Sequence, residues 1–127
     1  VPPQQSATLT HAELRIMEVL WRRGSSTVQQ VLDHLNQVSA LAYNSVLTTI
    51  RILEKKGYVG HSKDGRAHVY EPLIGRQEAT RSEITHLVSR FFRNSREQLV
   101  LNILEEQGLE PEELQRLRLI LDRGQTK

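Results

Sequence analysis

Two short β-type runs, residues 58–63 and 66–71, flank an Asp64-Gly65 dipeptide and follow directly on three stretches of helical periodicity. This change of period at Gly57 narrows the fold more than any other feature. Asp and Gly both tolerate the positive φ of a tight hairpin turn, so the dipeptide predicts a β-hairpin. Pro72 ends its second strand. Upstream, Thr10 and Glu13 have the spacing of a capping box. Leu14, Met17, Val19, Leu20 and Trp21 then follow at helical intervals, and Gly24 stops a helix over 11–23. Val28, Val31, Leu32 and Leu35 define one face of a second helix, behind a short polar connection of Ser25, Ser26 and Thr27 that can cap it. Residues 36–40 are turn-like, and a third helix is predicted over 42–56 with Gly57 at its end. Three helices and a hairpin in this order are the pattern of a winged helix-turn-helix. The expected fold class is mostly α with a small β-hairpin, the winged domain occupying residues 9–74 after a disordered tail of 1–8.

The remaining residues read as helical. One helix covers 76–92. Ser95 with Gln98 suggests a second capping box, opening a helix that Gly108 stops. Pro111 suits the first position of a last helix, ended by Gly124. Isolated helices of this length are marginal in water. The apolar residues Leu99, Ile103, Leu104, Leu114, Leu117, Ile120 and Leu121 therefore need a partner surface. A two-fold homodimer supplies one, so residues 75–124 are expected to be a helical dimerisation region.

Charge sharpens the reading. The chain of 127 residues has a net charge of +2. Residues 1–73 hold 8 Lys and Arg against 6 Asp and Glu, whereas residues 74–127 hold 9 of each. The excess lies between Arg51 and Arg66, a local basic patch of the kind that nucleic-acid contact requires. Aromatics are only 5% of the chain, so the core is expected to be built mainly from Leu, Val and Ile. There is no cysteine, which removes disulfides, thiolate metal sites and cysteine nucleophiles together. No apolar run is long enough to span a membrane and no signal-peptide pattern opens the chain. A cytoplasmic protein without membrane insertion is expected. No H-E-x-x-H, P-loop or G-x-S-x-G motif is present, so neither an enzyme nor a bound cofactor is expected.

On a helical wheel of the third helix, Val46, Ile50 and Leu53 fall on one face, edged by Ala42 and Tyr43. The opposite face carries Asn44, Thr48, Arg51 and Lys55, with Ser45 and Thr49 beside it. Short polar side chains let a backbone approach base edges in the major groove, and Arg can grip guanine bidentately. The N-terminal part of such a helix usually meets the bases. Tyr43, Asn44, Ser45 and Thr48 are therefore the candidate base readers, with Thr49 flanking them. Arg51 can read a base or hold a phosphate. Lys55 and Lys56 at the far end suit phosphate contacts, which position without specifying. Lys63, Arg66 and His68 place further DNA contacts on the hairpin. Counting outward from the turn, His61 and His68 should face each other across the strands. Two ligands without a third make a poor metal site, and none is expected.

Residues 41–73, LAYNSVLTTIRILEKKGYVGHSKDGRAHVYEPL, resemble the penicillinase-repressor family of BlaI/MecI type. So do residues 9–35, LTHAELRIMEVLWRRGSSTVQQVLDHL, and the later runs QLVLNILEE and PEELQRLRLIL. The resemblance implies a homodimeric repressor that binds inverted-repeat operator DNA with TACA/TGTA-like half-sites and controls β-lactam-resistance or related genes together with its own operon. It also implies induction by proteolytic cleavage, through a membrane-bound sensor metalloprotease, at the bond between Asn102 and Ile103. Two positions depart from the family pattern: Ile103 stands where the best-known members have Phe, and Ile52 where Arg is common. Two other functions fit the winged pattern, namely a small-ligand-sensing regulator and a protein-interaction module. The basic face of the third helix argues against the second.

Overall fold

The structure, a computed structural model, describes residues 8–37 and 40–125. The expected tail lies outside the described residues except for Thr8, as do two residues of the expected turn at 36–40. The elements in chain order are α1 (His11–Arg23), β1 (Ser26–Thr27), α2 (Val28–Leu35), α3 (Tyr43–Lys56), β2 (Val59–Asp64), β3 (Ala67–Pro72), α4 (Arg76–Phe91), α5 (Arg96–Asn102), a π-helical turn (Ile103–Gln107) and α6 (Pro111–Gln125). They form two compact units, one reaching to His86 and the other starting at Leu87.

In the first unit the ends of the helices are set by local chemistry. Thr10 accepts the N–H of Glu13 at 3.1 Å while Glu13 accepts that of Thr10 at 2.9 Å, a complete capping box. Thr27 and Gln30 repeat the device at the start of α2. Gly57, at φ 88°, closes α3 in a left-handed turn: its N–H reaches Glu54 O and that of Tyr58 reaches Leu53 O, a Schellman motif. The apolar faces then meet in one core. Ile16, Met17 and Leu20 of α1, Val31 and Leu32 of α2, and Val46, Ile50 and Leu53 of α3 are all buried. Enclosing each Leu or Ile contributes roughly 1.5–3 kcal/mol. The core is built mainly from Leu, Val and Ile, as composition suggests, and two tyrosines join it: Tyr58 is the largest fully enclosed side chain, and Tyr70 is 2% exposed. Leu14, counted with the apolar face of the first helix, is instead 38% exposed.

The hairpin is part of a three-stranded antiparallel sheet in the order β1-β3-β2. Ser26 pairs with Tyr70 and Thr27 with Val69, so the short polar connection is also an edge strand. In the hairpin Asp64 pairs with Ala67, Lys63 with His68 and His61 with Tyr70. The expected register is therefore corrected: the two-residue loop is Gly65-Arg66, not Asp64-Gly65, and each cross-strand partner moves by two residues, so His61 faces Tyr70 instead of His68. Gly65 has φ 64° whereas Arg66 has no positive φ, the pattern of a type II′ turn with Gly at its first central position.

The first unit extends past Ile74, the expected boundary, because the start of α4 is tied to it. Ala79 is buried in the core. Glu83 accepts the N–H of Leu9 at 2.6 Å, the Trp21 indole donates to Ile74 O at 2.9 Å, and the Arg76 guanidinium lies 4.9 Å from the centre of the Trp21 ring. Tyr58 is hydrogen-bonded to Ser82.

Glu13 is only 3% exposed, and Lys56 donates to its Oε1 at 2.7 Å. This ion pair joins the first turn of α1 to the last of α3. Removing one member of such a pair strands the other and costs about 3–5 kcal/mol. Lys56→Ala should fall near the lower end, since water still reaches the lysine side of the pair. The double change Glu13→Gln with Lys56→Met should recover most of the loss. Urea unfolding of the three proteins checks this; equal stability of the single variant and the wild type would refute a structural role for the pair.

In the second unit, Arg93 and Asn94 both have positive φ, at 50° and 67°, and turn the chain sharply after α4. Ser95 caps α5 by accepting the N–H of Gln98 at 3.1 Å. The helix does not run regularly to Gly108. It passes into the π-helical turn at Ile103, and the Gly108 N–H closes on Ile103 O at 3.0 Å. Likewise α6 continues through Gly124 to Gln125 rather than ending at the glycine. Val100, Leu104, Leu117, Leu119, Ile120 and Leu121 are exposed, Leu121 at 64%.

Candidate nucleic-acid interface

The geometry of α3 follows from its packing. Burial of Val46, Ile50 and Leu53 turns Asn44, Ser45, Thr48, Arg51 and Lys55 outward, all exposed. Tyr43 is 45% exposed at the N-terminal end of the helix. The chain enters through a turn that Asn36 pins by accepting the N–H of Leu41 at 2.8 Å. Thr49 is half-buried, and its hydroxyl donates to Ser45 O at 2.9 Å, so it serves its own helix. Lys56 is directed to Glu13 and leaves the exposed Lys55 as the cation at that end of the helix.

On the hairpin, Lys63 and His68 sit directly opposite one another and Arg66 occupies the turn, all exposed. The two histidines are diagonal rather than opposite. Their rings nonetheless stack, with centroids 4.9 Å apart and planes 18° from parallel. His61 Nδ1 contacts Glu54 of α3, tying the hairpin to that helix. Among the described residues, no group of three His, Cys, Asp or Glu is placed to hold a metal ion.

A groove of about 370 Å³ separates the two basic elements. The first turn of α2 forms one wall with Thr27, Val28 and Gln29. Tyr43, Leu47 and Arg51 of α3 form another, and Arg66, Ala67, His68 and Tyr70 the third. Neither the α2 turn nor Tyr70 was expected at the site. The usable signal was the Thr27–Gln30 capping box, which fixes a helix N-terminus beside the hairpin; Ser26–Thr27 is too short a strand to show periodicity.

Burial holds the Tyr58 phenol above its ordinary value of 10.0, and Glu83 and Glu13 add to the rise. Burial likewise raises Tyr70, with Glu54 adding and Arg51 opposing. A phenol raised in the folded state contributes stability that is complete below pH about 10 and is lost as pH climbs through the folded value. Unfolding midpoints should therefore fall above pH 10, and less steeply in Tyr58→Phe. Urea titrations at pH 8 and pH 10.5 test this; parallel losses in both proteins would refute it.

The sequence profile of the penicillinase repressor family matches residues 9–123. The chain belongs to this family. It is a family of repressors, not of enzymes. The penicillinase repressor of Bacillus licheniformis is 30% identical over 119 residues, which cover 94% of this chain and 93% of that protein. The methicillin resistance regulatory protein MecI of Staphylococcus aureus (strain N315) is 22% identical over 115 residues, covering 91% and 94%. The solution structure of the DNA-binding domain of the repressor BlaI superposes with a TM-score of 0.53 at 31% identity, over 59% of this chain and 92% of that one. No helix among the described residues is long and apolar enough to cross a membrane.

Proposed function

We propose that this chain is a transcriptional repressor that binds an inverted-repeat operator as a homodimer, with half-sites of TACA/TGTA type. One observation carries the reading: the exposed face of Asn44, Ser45, Thr48 and Arg51 on α3 stands beside a wing bearing Lys63 and Arg66, in a chain of the penicillinase repressor family. Inserted in the major groove, α3 offers amide and hydroxyl groups that match base edges, while Lys55, Lys63 and Arg66 neutralise phosphates on either side. A dimer pairs two such helices with a palindrome, about one DNA turn (~34 Å) apart. The exposed Leu117, Ile120 and Leu121 of the second unit support a second copy as the partner.

Induction by a membrane-bound sensor metalloprotease completes the proposal, with cleavage between Asn102 and Ile103. This bond lies where α5 gives way to the π-helical turn, and Asn102 is exposed there. A chain that stays intact in induced cells beside its sensor would sink the cleavage step alone.

The primary test is fluorescence anisotropy of a labelled palindromic duplex with TACA/TGTA half-sites against a scrambled duplex, across a salt series. Tighter binding to the palindrome at physiological salt, one dimer per duplex, is the expected result. Equal, salt-labile binding to both would overturn the operator assignment, and absence of binding to either would overturn the repressor reading.

A further inference from the structure

We propose that the groove between α2, α3 and β3 is a built seat for one backbone phosphodiester of the bound duplex, with the Tyr70 hydroxyl as its uncharged donor. This rests on the DNA-binding reading and names a contact that the basic side chains alone do not reveal.

Three features converge on the groove. The first is the start of α2. The capping box occupies the N–H groups of Thr27 and Gln30. Val28 and Gln29, the first two helical residues, line the groove, and their N–H groups have no acceptor within the helix. A helix N-terminus of this kind favours an anion. The second is charge. Arg51 and Arg66 both line the groove, and neither enters an ion pair among the described residues. The nearby carboxylate of Glu54 is already engaged by His61.

The third feature decides the matter. Tyr70 is 2% exposed, yet its hydroxyl forms no hydrogen bond among the described residues. Among the described residues, no fully enclosed side-chain oxygen or nitrogen lacks a partner. The Tyr70 hydroxyl is therefore not sealed in, and Tyr70 is one of the residues that line the groove. A polar group buried on all sides but one, with no protein partner, is poised for a ligand on that side. The groove is too open and too shallow in apolar lining to enclose a small organic effector, whereas a phosphodiester presents two acceptor oxygens to just such a ring of donors. Position agrees: the groove lies between the reading helix and the wing, where the backbone of a duplex held by both must pass.

Tyr70→Phe keeps the buried ring and removes only the donor. A hydrogen bond to a charged group is worth about 1.5–3 kcal/mol, so binding should weaken roughly 10-fold or more. The loss should be equal on the palindromic and scrambled duplexes, and the salt slope should not change, because no charge is removed. Arg66→Ala, in contrast, should make the slope shallower. A methylphosphonate scan of the duplex should find one position per half-site that weakens the wild type but weakens Tyr70→Phe no further.

Gln29→Glu gives an independent reading. An acid in the first turn of α2 suits the helix, so the melting temperature should hold, while a carboxylate at the groove should repel the phosphate and weaken binding at least 10-fold. Wild-type affinity in either variant, or full methylphosphonate losses at every position in Tyr70→Phe, would overturn the seat while leaving the repressor reading standing. A wild-type chain that binds neither duplex would overturn both.

Discussion

A chain ending at His86 should fold, stay monomeric and bind the full operator at least about 100-fold more weakly than the whole chain, while its affinity for an isolated half-site changes little. The first unit is expected to be self-sufficient: its core cluster reaches Ala79, and Glu83 accepts the N–H of Leu9. Ending at 73 instead would strip Ile74 and Ala79 from that core, and would confuse lost folding with lost avidity. On the proposed reading, what the second unit supplies is a second copy. Linking two half-site readers turns the second binding event into an intramolecular one, and the gain reaches about 10²–10⁴ without any new DNA contact. Leu117→Asp with Leu121→Asp should reproduce the loss in the full chain. Those residues are 43% and 64% exposed in a single copy, so a carboxylate is tolerated there but would be desolvated between two copies. Sedimentation and anisotropy check both proteins. A truncated chain that binds the full operator as tightly as the whole chain, or an Asp double variant that remains dimeric, would sink the assignment of this region.

The sequence spoke clearly wherever one short-range rule acts alone. The Thr10 capping box, the capping run of Ser25, Ser26 and Thr27 and the stops at Gly24 and Gly57 mark both ends of α1, the start of α2 and the end of α3, because a cap involves only neighbours in the chain. The heptad-like spacing of Val28, Val31, Leu32 and Leu35 gave the buried face of α2 for the same reason. What stayed hidden depends on residues far apart. Lys56 is a surface cation by composition and a partner of Glu13 by folding, 43 positions away. Ser26 and Thr27 pair with β3 across all of α3 in the sequence, and two residues carry no period to betray it. The hairpin register failed on a finer point. Asp64 and Gly65 can both take positive φ, so the dipeptide marks the turn without saying whether Gly65 is its second central residue or its first; the structure chooses the first, and every cross-strand partner moves by two. Likewise nothing local in residues 103–107 foretells a π-helical turn, and Gly124 resembles a stop that the helix passes through.

Asn44→Ala and Thr48→Ala should each abolish discrimination at one base position of the half-site, with little change in the salt dependence. Both side chains are exposed on the face of α3 opposite Val46 and Ile50, and Asn44 is in the first turn, the part of a reading helix that meets the bases. An Asn amide pairs bidentately with the N6 and N7 of adenine, and such a contact is worth about 1–3 kcal/mol. A homodimer carries the change twice, so the full operator should lose about 2–6 kcal/mol, a fall of roughly 30-fold or more. Scrambled duplex, held through phosphates, should be bound nearly as before. Lys55→Ala and Lys63→Ala should do the reverse, weakening both duplexes alike and reducing the salt slope. Thr49→Ala separates a reading face from a merely polar one. Its hydroxyl already donates to Ser45 O within the helix, so its removal should cost the operator little. Anisotropy titrations against duplexes altered one base pair at a time distinguish these patterns. If Thr49→Ala matched Asn44→Ala in the size and position of its effect, the helix would have to be rotated in the groove, and the base-reading role would pass from Asn44 and Thr48 to the flank on which Ser45 and Thr49 stand.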